Sequence, residues 1–394
     1  MGAGIAEVAA QAGLAVDLYD VEEKFLDRGR EAIDTSLSRL VAREKLSEAE
    51  RDAVLQRIRL TTDFADLREC PFVVEAVPED LPLKIGVFQQ LHDVCPAEAI
   101  LATNTSSLSV TEIARGSGRA PNVVGMHFFN PPTVLRLVEV VRGARSAPDV
   151  VETTVELSHR LGKTPVVCRD VPGFIVNRVA RPFYLEALYM LGEGLADVPT
   201  IDAALRAAGF PMGPFQLMDL VGVDVNFAVS QSIFEQRFFE PRFRPHLIQQ
   251  ELLRAGCLGR KTGRGFYDYS TDPPAVPVLP RTPPAGGAMV SWDRWHTHVD
   301  PAAAPLVGRV LSALVNEAYF ALGEGIASAE DIDTGMRLGT NYPRGLLDWG
   351  DALGTDLVLD TVLQLEDWYR DGRHVPAPLL RARAEHAARG APGA

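Results

Sequence analysis

The sequence predicts an α/β domain built on a parallel sheet, followed by two copies of an all-helical unit. Over residues 1–170, short apolar segments alternate with segments of helical composition, which is the pattern of repeated strand–helix–strand units. An internal repeat follows, because residues 185–224 recur as residues 316–356, and such self-similarity indicates a duplicated unit. The predicted boundaries are 1–170 for the α/β domain, 171–270 for the first helical copy, 271–304 for a Pro/Ala/Gly-rich linker and 305–394 for the second copy.

The repeat is supported by identical residues that match in register, with one residue inserted between two matching blocks. The matched positions are Glu186, Gly192, Glu193, Gly194, Ile201, Asp202, Pro211, Gly213, Asp219, Gly222 and Asp224 in the first copy, and Glu317, Gly323, Glu324, Gly325, Ile332, Asp333, Pro343, Gly345, Asp351, Gly354 and Asp356 in the second. Only the first copy follows the α/β domain and precedes the segment GRKTGRGFYDY. We therefore expect the second copy to be structural.

The composition excludes several classes of partner. The chain has 394 residues, 46% of them hydrophobic, and a formal net charge of −13, which argues against a nucleic-acid surface. The four cysteines are far apart and show no paired spacing for zinc or a redox couple. No apolar run reaches the length of a membrane span, and the first residues lack a signal-peptide pattern. The sequence predicts a cytoplasmic protein without a bound metal or a membrane partner.

The opening segment predicts a dinucleotide site. A helix is expected from Gly2 to Ala12 and a strand from Ala15 to Tyr19, with Asp20 at the strand end. An acidic residue at that place holds a ribose hydroxyl of NAD. The sequence has no arginine nearby that would favour NADP, so NAD is the expected cofactor. The first strand and leading glycines of such a unit would precede Met1. We therefore expect the native start to lie roughly a dozen or more residues upstream. Without that first strand, a neighbouring strand in the centre of the sheet would lack its hydrogen-bonded partner.

Residues 121–140 carry the candidate catalytic pair. A buried strand is predicted over Val123–Phe129, closed by Asn130-Pro131-Pro132, and it delivers His127. Twelve residues later Glu139 falls on the apolar face of the next predicted strand. A buried carboxylate needs a partner, and an imidazole is the nearest one available. A satisfied core histidine is the structural alternative, and it is the commoner explanation of an isolated histidine.

Further polar residues lie where ligands of α/β sheets collect. Ser106 belongs to the segment Asn104–Ser107, which follows a predicted strand and could equally cap the next helix. Asn177 lies in the first turns of a long apolar helix expected from near Phe174, and helix packing is its structural alternative. Residues 22–58 are predicted to form a helical pair that carries Ser36 and Arg43. A solvated helical hairpin would explain that segment without a ligand.

Together these segments resemble the 3-hydroxyacyl-CoA dehydrogenase family, specifically bacterial members with a duplicated C-terminal domain. The segments that carry the resemblance are MGAGIA, VVEAVPED, NTSSL, GMHFFNPP, LVEVV, DVPGFIVNR, GFPMGPFQLMDLVG, GRKTGRGFYDY and GTNYPRGLLDWGD. They cover nearly the whole chain in the family's order. The resemblance implies a Rossmann-type NAD-binding domain followed by two repeats of the 6-phosphogluconate-dehydrogenase-like C-terminal domain. It also implies NAD-dependent oxidation of (S)-3-hydroxyacyl-CoA, or the reverse reaction, in fatty-acid β-oxidation.

The resemblance also assigns roles to individual residues. It implies His127 as general base, Glu139 as its orienting carboxylate, and Asn177 and Ser106 as contacts near the reacting oxygen. The residues implied to contact NAD are Met1, Gly2, Asp20, Glu79, Lys84, Ser106 and Lys261. Ser36 and Arg43 lie where family members contact CoA, and Arg43 replaces the usual lysine while retaining its charge.

Two alternatives remain open at this point. A dehydrogenase of the same family could act on a hydroxy acid without CoA, or on a carrier-bound acyl group. A non-catalytic NAD-binding relative is the second alternative, because the glycine fingerprint is truncated. By the same resemblance the two helical copies are expected to pack as an internal pseudo-dimer, and a homodimer is also compatible with the sequence.

Overall fold

The computed structural model describes residues 1–275 and 290–388. The chain divides into two compact units, Met1–Phe174 and Ile175–Ala394. Apart from residues 171–174, both predicted helical copies therefore fall within the second compact unit. Most of the Pro-rich part of the predicted linker, residues 276–289, lies outside the described residues.

The first unit is an α/β domain with two sheets. Strands β1 and β2 pair in parallel, and a five-stranded sheet has the order β3-β4-β5-β6-β7. In the larger sheet only the pairing of β5 with β6 is antiparallel. The strands are β1 Val16–Tyr19, β2 Ile58–Thr61, β3 Phe72–Glu75, β4 Ile100–Thr103, β5 Val123–Phe128, β6 Leu137–Arg142 and β7 Thr164–Arg169. The helices are α1 Gly2–Gln11, α2 Glu23–Ala42, α3 Glu48–Gln56, α4 Leu81–Val94, α5 Val110–Gly116 and α6 Pro148–Arg160.

Strand β2 is an element that the sequence pattern did not predict. It follows the helical pair directly and has only four residues, of which Arg59 is charged and exposed. Its stability comes from the neighbouring strand, because it pairs along the whole length of β1 and Arg59 forms an ion pair with Asp17 at 2.6 Å. The residue pattern within a short segment cannot predict pairing with a distant strand. The strand expected upstream of Met1 stays a prediction.

Helix α1 packs its apolar face on the larger sheet. Ile5 and Val8 belong to a buried cluster with residues of β4, β5, β6 and α6. Close approach explains one glycine of this helix, since a Cβ atom on Gly4 would lie 2.7 Å from Cγ of Pro132. The N-terminal half of α1 thus lies directly against the turn that follows β5.

In its described residues the second unit has helices and no β-strand, apart from isolated β-bridges within residues 259–275. Its helices are α7 Val176–Val179, α8 Arg181–Gly192, α9 Val198–Ala207, α10 Pro214–Val221, α11 Val223–Gln236, α12 Leu247–Arg254, α13 Ala304–Gly323, α14 Ala329–Thr340, α15 Leu346–Leu353, α16 Thr355–Tyr369 and α17 Pro378–Ala388. The long helix expected from near Phe174 is broken at Ala180, just before Pro182, into α7 and α8. Helix α13 has the length and apolarity of a membrane span, but 78% of its apolar window is buried within the protein.

Matching positions of the repeat have matching local structure. Asp202 accepts hydrogen bonds from the backbone N–H groups of Phe215 and Gln216 at the start of α10. Asp333 does the same for the first residues of α15. The two helix junctions are also alike, with Gly222 at φ 106° and Gly354 at φ 92°, a region that favours glycine. The same side chain therefore fixes the same helix start in both sequence copies.

Candidate active site

His127 and Glu139 form a buried pair in the centre of the larger sheet. They are direct neighbours across the antiparallel ladder of β5 and β6, which places their side chains on the same face. Nδ1 of His127 lies 2.7 Å from Oε2 of Glu139, and the two side chains are 8% and 0% exposed. An ionised carboxylate only accepts hydrogen bonds, so this contact favours the imidazole tautomer that has its proton on Nδ1 and its acceptor at Nε2.

Aromatic rings and an amide fix the surroundings of this histidine. The rings of Phe129 and Phe174 lie 4.7 and 5.8 Å from the imidazole, measured between centroids. The side-chain carbonyl of Asn104 accepts a hydrogen bond from the backbone N–H of Phe128 at 2.8 Å. The strand end that carries His127 is therefore held from the neighbouring strand β4.

The loop after β4 is organised around one carboxylate. Oε1 of Glu79 accepts hydrogen bonds from the Thr105 hydroxyl at 2.6 Å and from the backbone N–H groups of Ser106 and Ser107 at 2.9 and 3.0 Å. Burial opposes ionisation of Glu79, but the hydrogen bond from Thr105 and the charge of Lys84 outweigh it and lower the pKa of this carboxyl. The structure thus brings two predicted cofactor residues, Glu79 and Ser106, into contact.

Lys84 lies in a buried ion-pair network beneath this loop. Its side chain is 1% exposed, and its ammonium group lies 2.7 Å from Glu75, 3.4 Å from Glu79 and 3.2 Å from the carbonyl of Val77. Glu75 in turn accepts a hydrogen bond from the Thr103 hydroxyl at 2.7 Å. Its donors are directed to protein acceptors beneath the loop, and the direct contact of Lys84 with NAD stays a prediction.

The first helix and first strand provide features that fit NAD. Helix α1 begins at Gly2 with Met1 as N-cap, and it has no side-chain cap and no acidic residue in its first turn. Such a helix end attracts a pyrophosphate through its N–H groups. At the carboxyl end of β1, Asp20 is half-buried and accepts a hydrogen bond from the N–H of Val21. A carboxylate at this place accepts ribose hydroxyls.

The predicted CoA residues lie on or beside α2. The hydroxyl of Ser36 donates to the buried Glu7 at 2.8 Å; burial raises the pKa of Glu7, and this hydrogen bond opposes the rise. Arg43 is exposed at the end of the helix. A surface depression of about 390 Å³ beside Ser36 is also lined by Arg28 and Arg39. Two arginines and one glutamate thus line this depression, and the contact of the helix with CoA stays a prediction.

Two predicted site residues belong to the helical unit. Asn177 lies in α7, and its carbonyl accepts a hydrogen bond from Nε of Arg181 at 2.7 Å. Lys261 forms an ion pair with Asp224 at 2.6 Å and remains about half exposed. That these residues share one site with His127 stays a prediction.

Comparison with known proteins decides the family. The sequence model described as 3-hydroxyacyl-CoA dehydrogenase, NAD binding domain, matches residues 1–171. The model described as 3-hydroxyacyl-CoA dehydrogenase, C-terminal domain, matches residues 173–269 and 306–392. The chain belongs to the 3-hydroxyacyl-CoA dehydrogenase family. The prediction of an NAD-dependent 3-hydroxyacyl-CoA dehydrogenase is confirmed.

Individual relatives support this assignment. The 3-hydroxyadipyl-CoA dehydrogenase of Escherichia coli K12 is 40% identical, over 98% of this chain and 95% of the relative. The 3-hydroxybutyryl-CoA dehydrogenase of Clostridioides difficile is 38% identical over 68% of this chain and 96% of its own length. The crystal structure of an E. coli K12 3-hydroxybutyryl-CoA dehydrogenase matches with a TM-score of 0.91 at 39% identity, over 99% of this chain and 97% of that one.

Two residues that support the candidate site were missed by sequence reasoning. Glu75 and Thr103 lie at the carboxyl ends of β3 and β4, beneath the loop that carries Ser106. A signal was present, since Glu75 ends an apolar strand and a lysine follows nine residues later. A charged residue at the end of a buried strand needs a counter-ion, and this requirement could have paired Lys84 with Glu75.

Proposed function

We propose that His127 is the general base and Glu139 its orienting carboxylate in the oxidation of (S)-3-hydroxyacyl-CoA to 3-oxoacyl-CoA. The observation that carries this proposal is the buried contact of 2.7 Å between Nδ1 and the carboxylate. It directs Nε2 to the substrate, where an imidazole removes the hydroxyl proton. Glu139 stabilises the imidazolium that results, and in the reverse direction Nε2 returns the proton to the oxygen.

NAD, when bound, supplies the acceptor for the hydride that leaves the carbon atom. The N–H groups at the start of α1 would hold its pyrophosphate, and Asp20 its ribose. Ser106 and Glu79 would contact the cofactor from the loop after β4. Lys84 and Glu75 support that loop from below, because their buried ion pair fixes the position of Glu79. Lys261 is proposed as a further cofactor contact.

Asn177 and Ser106 are proposed to hydrogen-bond the substrate oxygens. Fixing the alcohol before the base accelerates the reaction through orientation alone. Ser36 and Arg43, with the cations Arg28 and Arg39 beside them, are proposed to bind the phosphates of CoA. These arginines support a CoA thioester over a hydroxy acid without CoA.

We also infer that the helical unit is an internal pseudo-dimer of two repeated domains, residues 171–270 and 305–394. Extending the repeat toward its N-terminus matches Arg178 with Arg309. Arg178 forms ion pairs with Glu317 and Glu324 at 2.7 and 2.8 Å. The reciprocal contacts are also present, because Arg309 binds Glu186 and Glu193 at 2.6 and 2.7 Å.

A second reciprocal pair supports the same inference. The guanidinium of Arg242 stacks 3.4 Å from the ring centroid of Phe320, and that of Arg373 stacks 3.6 Å from the ring centroid of Tyr189. Phe320 and Tyr189 are matched positions of the repeat. Reciprocal exchange of this kind is the property of an interface with two-fold symmetry. A cytoplasmic location and a homodimer built on this unit remain part of the proposal.

The catalytic assignment is tested with His127→Gln, which retains size and polarity but cannot act as the base. We expect turnover of NAD with 3-hydroxyacyl-CoA to fall roughly a hundredfold or more, the effect of losing a general base. NAD affinity, measured by fluorescence titration, should stay within about threefold. Glu139→Gln is the companion variant and should lower turnover while leaving the KM for NAD unchanged. Unaltered turnover in His127→Gln would remove this histidine from the mechanism.

A further inference from the structure

Lys163 is a buried lysine at the ligand edge of the larger sheet. Strand β6 runs antiparallel to β5 and β7 runs parallel to β6, so the start of β7 lies at the same edge as the carboxyl end of β5. Lys163 directly precedes β7 and is 8% exposed. Among residues 1–275 and 290–388 its ammonium group forms no ion pair with an acidic side chain. Burial lowers the pKa of Lys163, and the nearby charge of Arg136 lowers it further. Burying a cation without a counter-ion is costly, which indicates a role for this lysine.

The ammonium group of Lys163 holds the segment that joins β5 to β6. It donates hydrogen bonds to the backbone carbonyls of Pro132 and Leu135, the second at 2.9 Å. Both carbonyls belong to one helical turn, in which the N–H groups of Val134 and Leu135 donate to the carbonyl of Pro131 at 3.0 Å. A hydrogen bond from a charged donor is stronger than one from a neutral donor. Lys163 therefore fixes this turn at two points.

The same turn lies against the helix that is proposed to hold the cofactor. Pro132 is buried, and a Cβ atom on Gly4 of α1 would lie 2.7 Å from its Cγ and 3.2 Å from its Cδ. Interiors packed this closely transmit small displacements, so the position of Pro132 sets the position of the N-terminal half of α1. The first N–H groups of α1 are the proposed contacts of the NAD pyrophosphate, so this inference rests on the proposed function.

We propose that Lys163 is a positioning residue of the NAD site. It holds Pro132 against Gly4 and thereby keeps the start of α1 in the place where its N–H groups receive the pyrophosphate. His127 is held by other contacts, namely the carboxylate of Glu139 and the ladder with β6. Lys163 therefore acts on cofactor binding and not on proton transfer.

The test is Lys163→Met, which keeps the length of the side chain and removes its donors. The Kd for NAD, measured by fluorescence titration, should rise roughly tenfold, equivalent to about 1.4 kcal/mol. At saturating NAD, kcat should change by about twofold or less, and the pH dependence of kcat, which reports the general base, should stay the same. Lys163→Arg retains the charge and the donors and should restore most of the affinity. Arg160→Met, which removes an exposed cation three residues earlier, is the matched control and should leave the Kd unchanged.

Gly4→Ala changes the same contact from the side of α1 and separates this inference from the proposed place of NAD. Weaker NAD binding in each single variant, with no further loss when the two are combined, supports a shared path. If Gly4→Ala weakens NAD binding and Lys163→Met does not, the place of NAD stands and the role of Lys163 is refuted. If neither weakens it, the pyrophosphate is not held at the start of α1 and both proposals fall.

A purely structural role of Lys163 has a different outcome. It would lower kcat and NAD affinity together, without rescue by Lys163→Arg, and that result overturns the inference. Should Lys163→Met fail to fold, Lys163→Gln, which retains a neutral donor, replaces it and should raise the Kd for NAD about threefold or more. An unchanged Kd in folded Lys163→Gln and a normal unfolding midpoint would likewise overturn the proposal.

Discussion

Arg178 and Arg309 occupy matching positions of the two helical copies, and each binds two glutamates of the other copy. One residue earlier the copies differ, because Asn177 in the first is replaced by Gly308 in the second. The residues that join the copies are thus repeated, whereas Asn177, which is proposed to contact the substrate, is present once.

Packing explains why the second copy has no counterpart of the proposed site. A Cβ atom on Gly308 would lie 2.7 Å from the ring of Trp292 and 3.0 Å from that of Trp295. Trp295 is fully buried and donates a hydrogen bond to the Thr361 hydroxyl at 2.9 Å. The place that corresponds to Asn177 is therefore occupied by tryptophan. This packing agrees with the proposal that the second copy is an internal partner of the first.

The largest expected effect belongs to the repeated arginines. Arg178→Met leaves Glu317 and Glu324 without this cation, and Arg309→Met does the same for Glu186 and Glu193. Each substitution should lower the free energy of unfolding of the helical unit by about 3–5 kcal/mol, the cost of breaking a buried ion pair. All four tryptophans lie in this unit, so tryptophan fluorescence in a denaturant titration reports its unfolding.

Equal losses in the two arginine variants would agree with a symmetrical interface. Arg370→Met, which removes an exposed ion pair with Asp367 at a helix end, is the control and should change the stability by about 0.5 kcal/mol or less. A large loss in one variant and none in its counterpart would contradict the pseudo-dimer.

The position that differs between the copies should separate activity from stability. Asn177→Ala should lower kcat roughly a hundredfold and leave the unfolding midpoint nearly unchanged, because the lost contact is with the substrate. Gly308→Ala should lower stability by about 1–3 kcal/mol through overpacking against tryptophan and leave kcat per folded molecule unaltered. Steady-state kinetics and denaturant titration of both variants measure the two effects. If Gly308→Ala alone reduced kcat, the roles assigned to the two copies would be reversed.

The contact between His127 and Glu139 could be predicted from the sequence because the two residues are close in the chain. A strand ending in a turn, followed by a second strand, brings residues twelve apart into a ladder, and the two-residue period turns both side chains inward. His127 and Glu139 meet in the structure for this reason. The repeat is equally readable, since it needs only a comparison of the chain with itself.

The sequence could not reveal features that depend on distant partners. Strand β2 has only four residues, two of them polar, and it is stabilised by its pairing with β1. Lys84 was assigned to NAD by resemblance, but its counter-ion Glu75 is close only after the strand and helix pack. The counter-ions of Arg178 lie 139 and 146 residues further along the chain, so no local pattern identifies them.

The smallest expected effect concerns two exposed ion pairs at matching helix junctions. Asp224 and Asp356 are counterparts in the repeat, and their cations are Lys261 in the first copy and Arg294 in the second. Each pair is about half exposed and should contribute about 1 kcal/mol or less to stability.

Only Lys261 is proposed to contact NAD, and losing one charged contact of about 1 kcal/mol corresponds to roughly a fivefold change in affinity. Lys261→Met should therefore raise the KM for NAD about fivefold at low salt with little change in kcat, whereas Arg294→Met should leave both values unchanged. Because salt screens exposed charges, the effect of Lys261→Met should shrink as ionic strength rises. An equal rise in KM in both variants would show that the junctions act alike and that Lys261 has no cofactor role of its own.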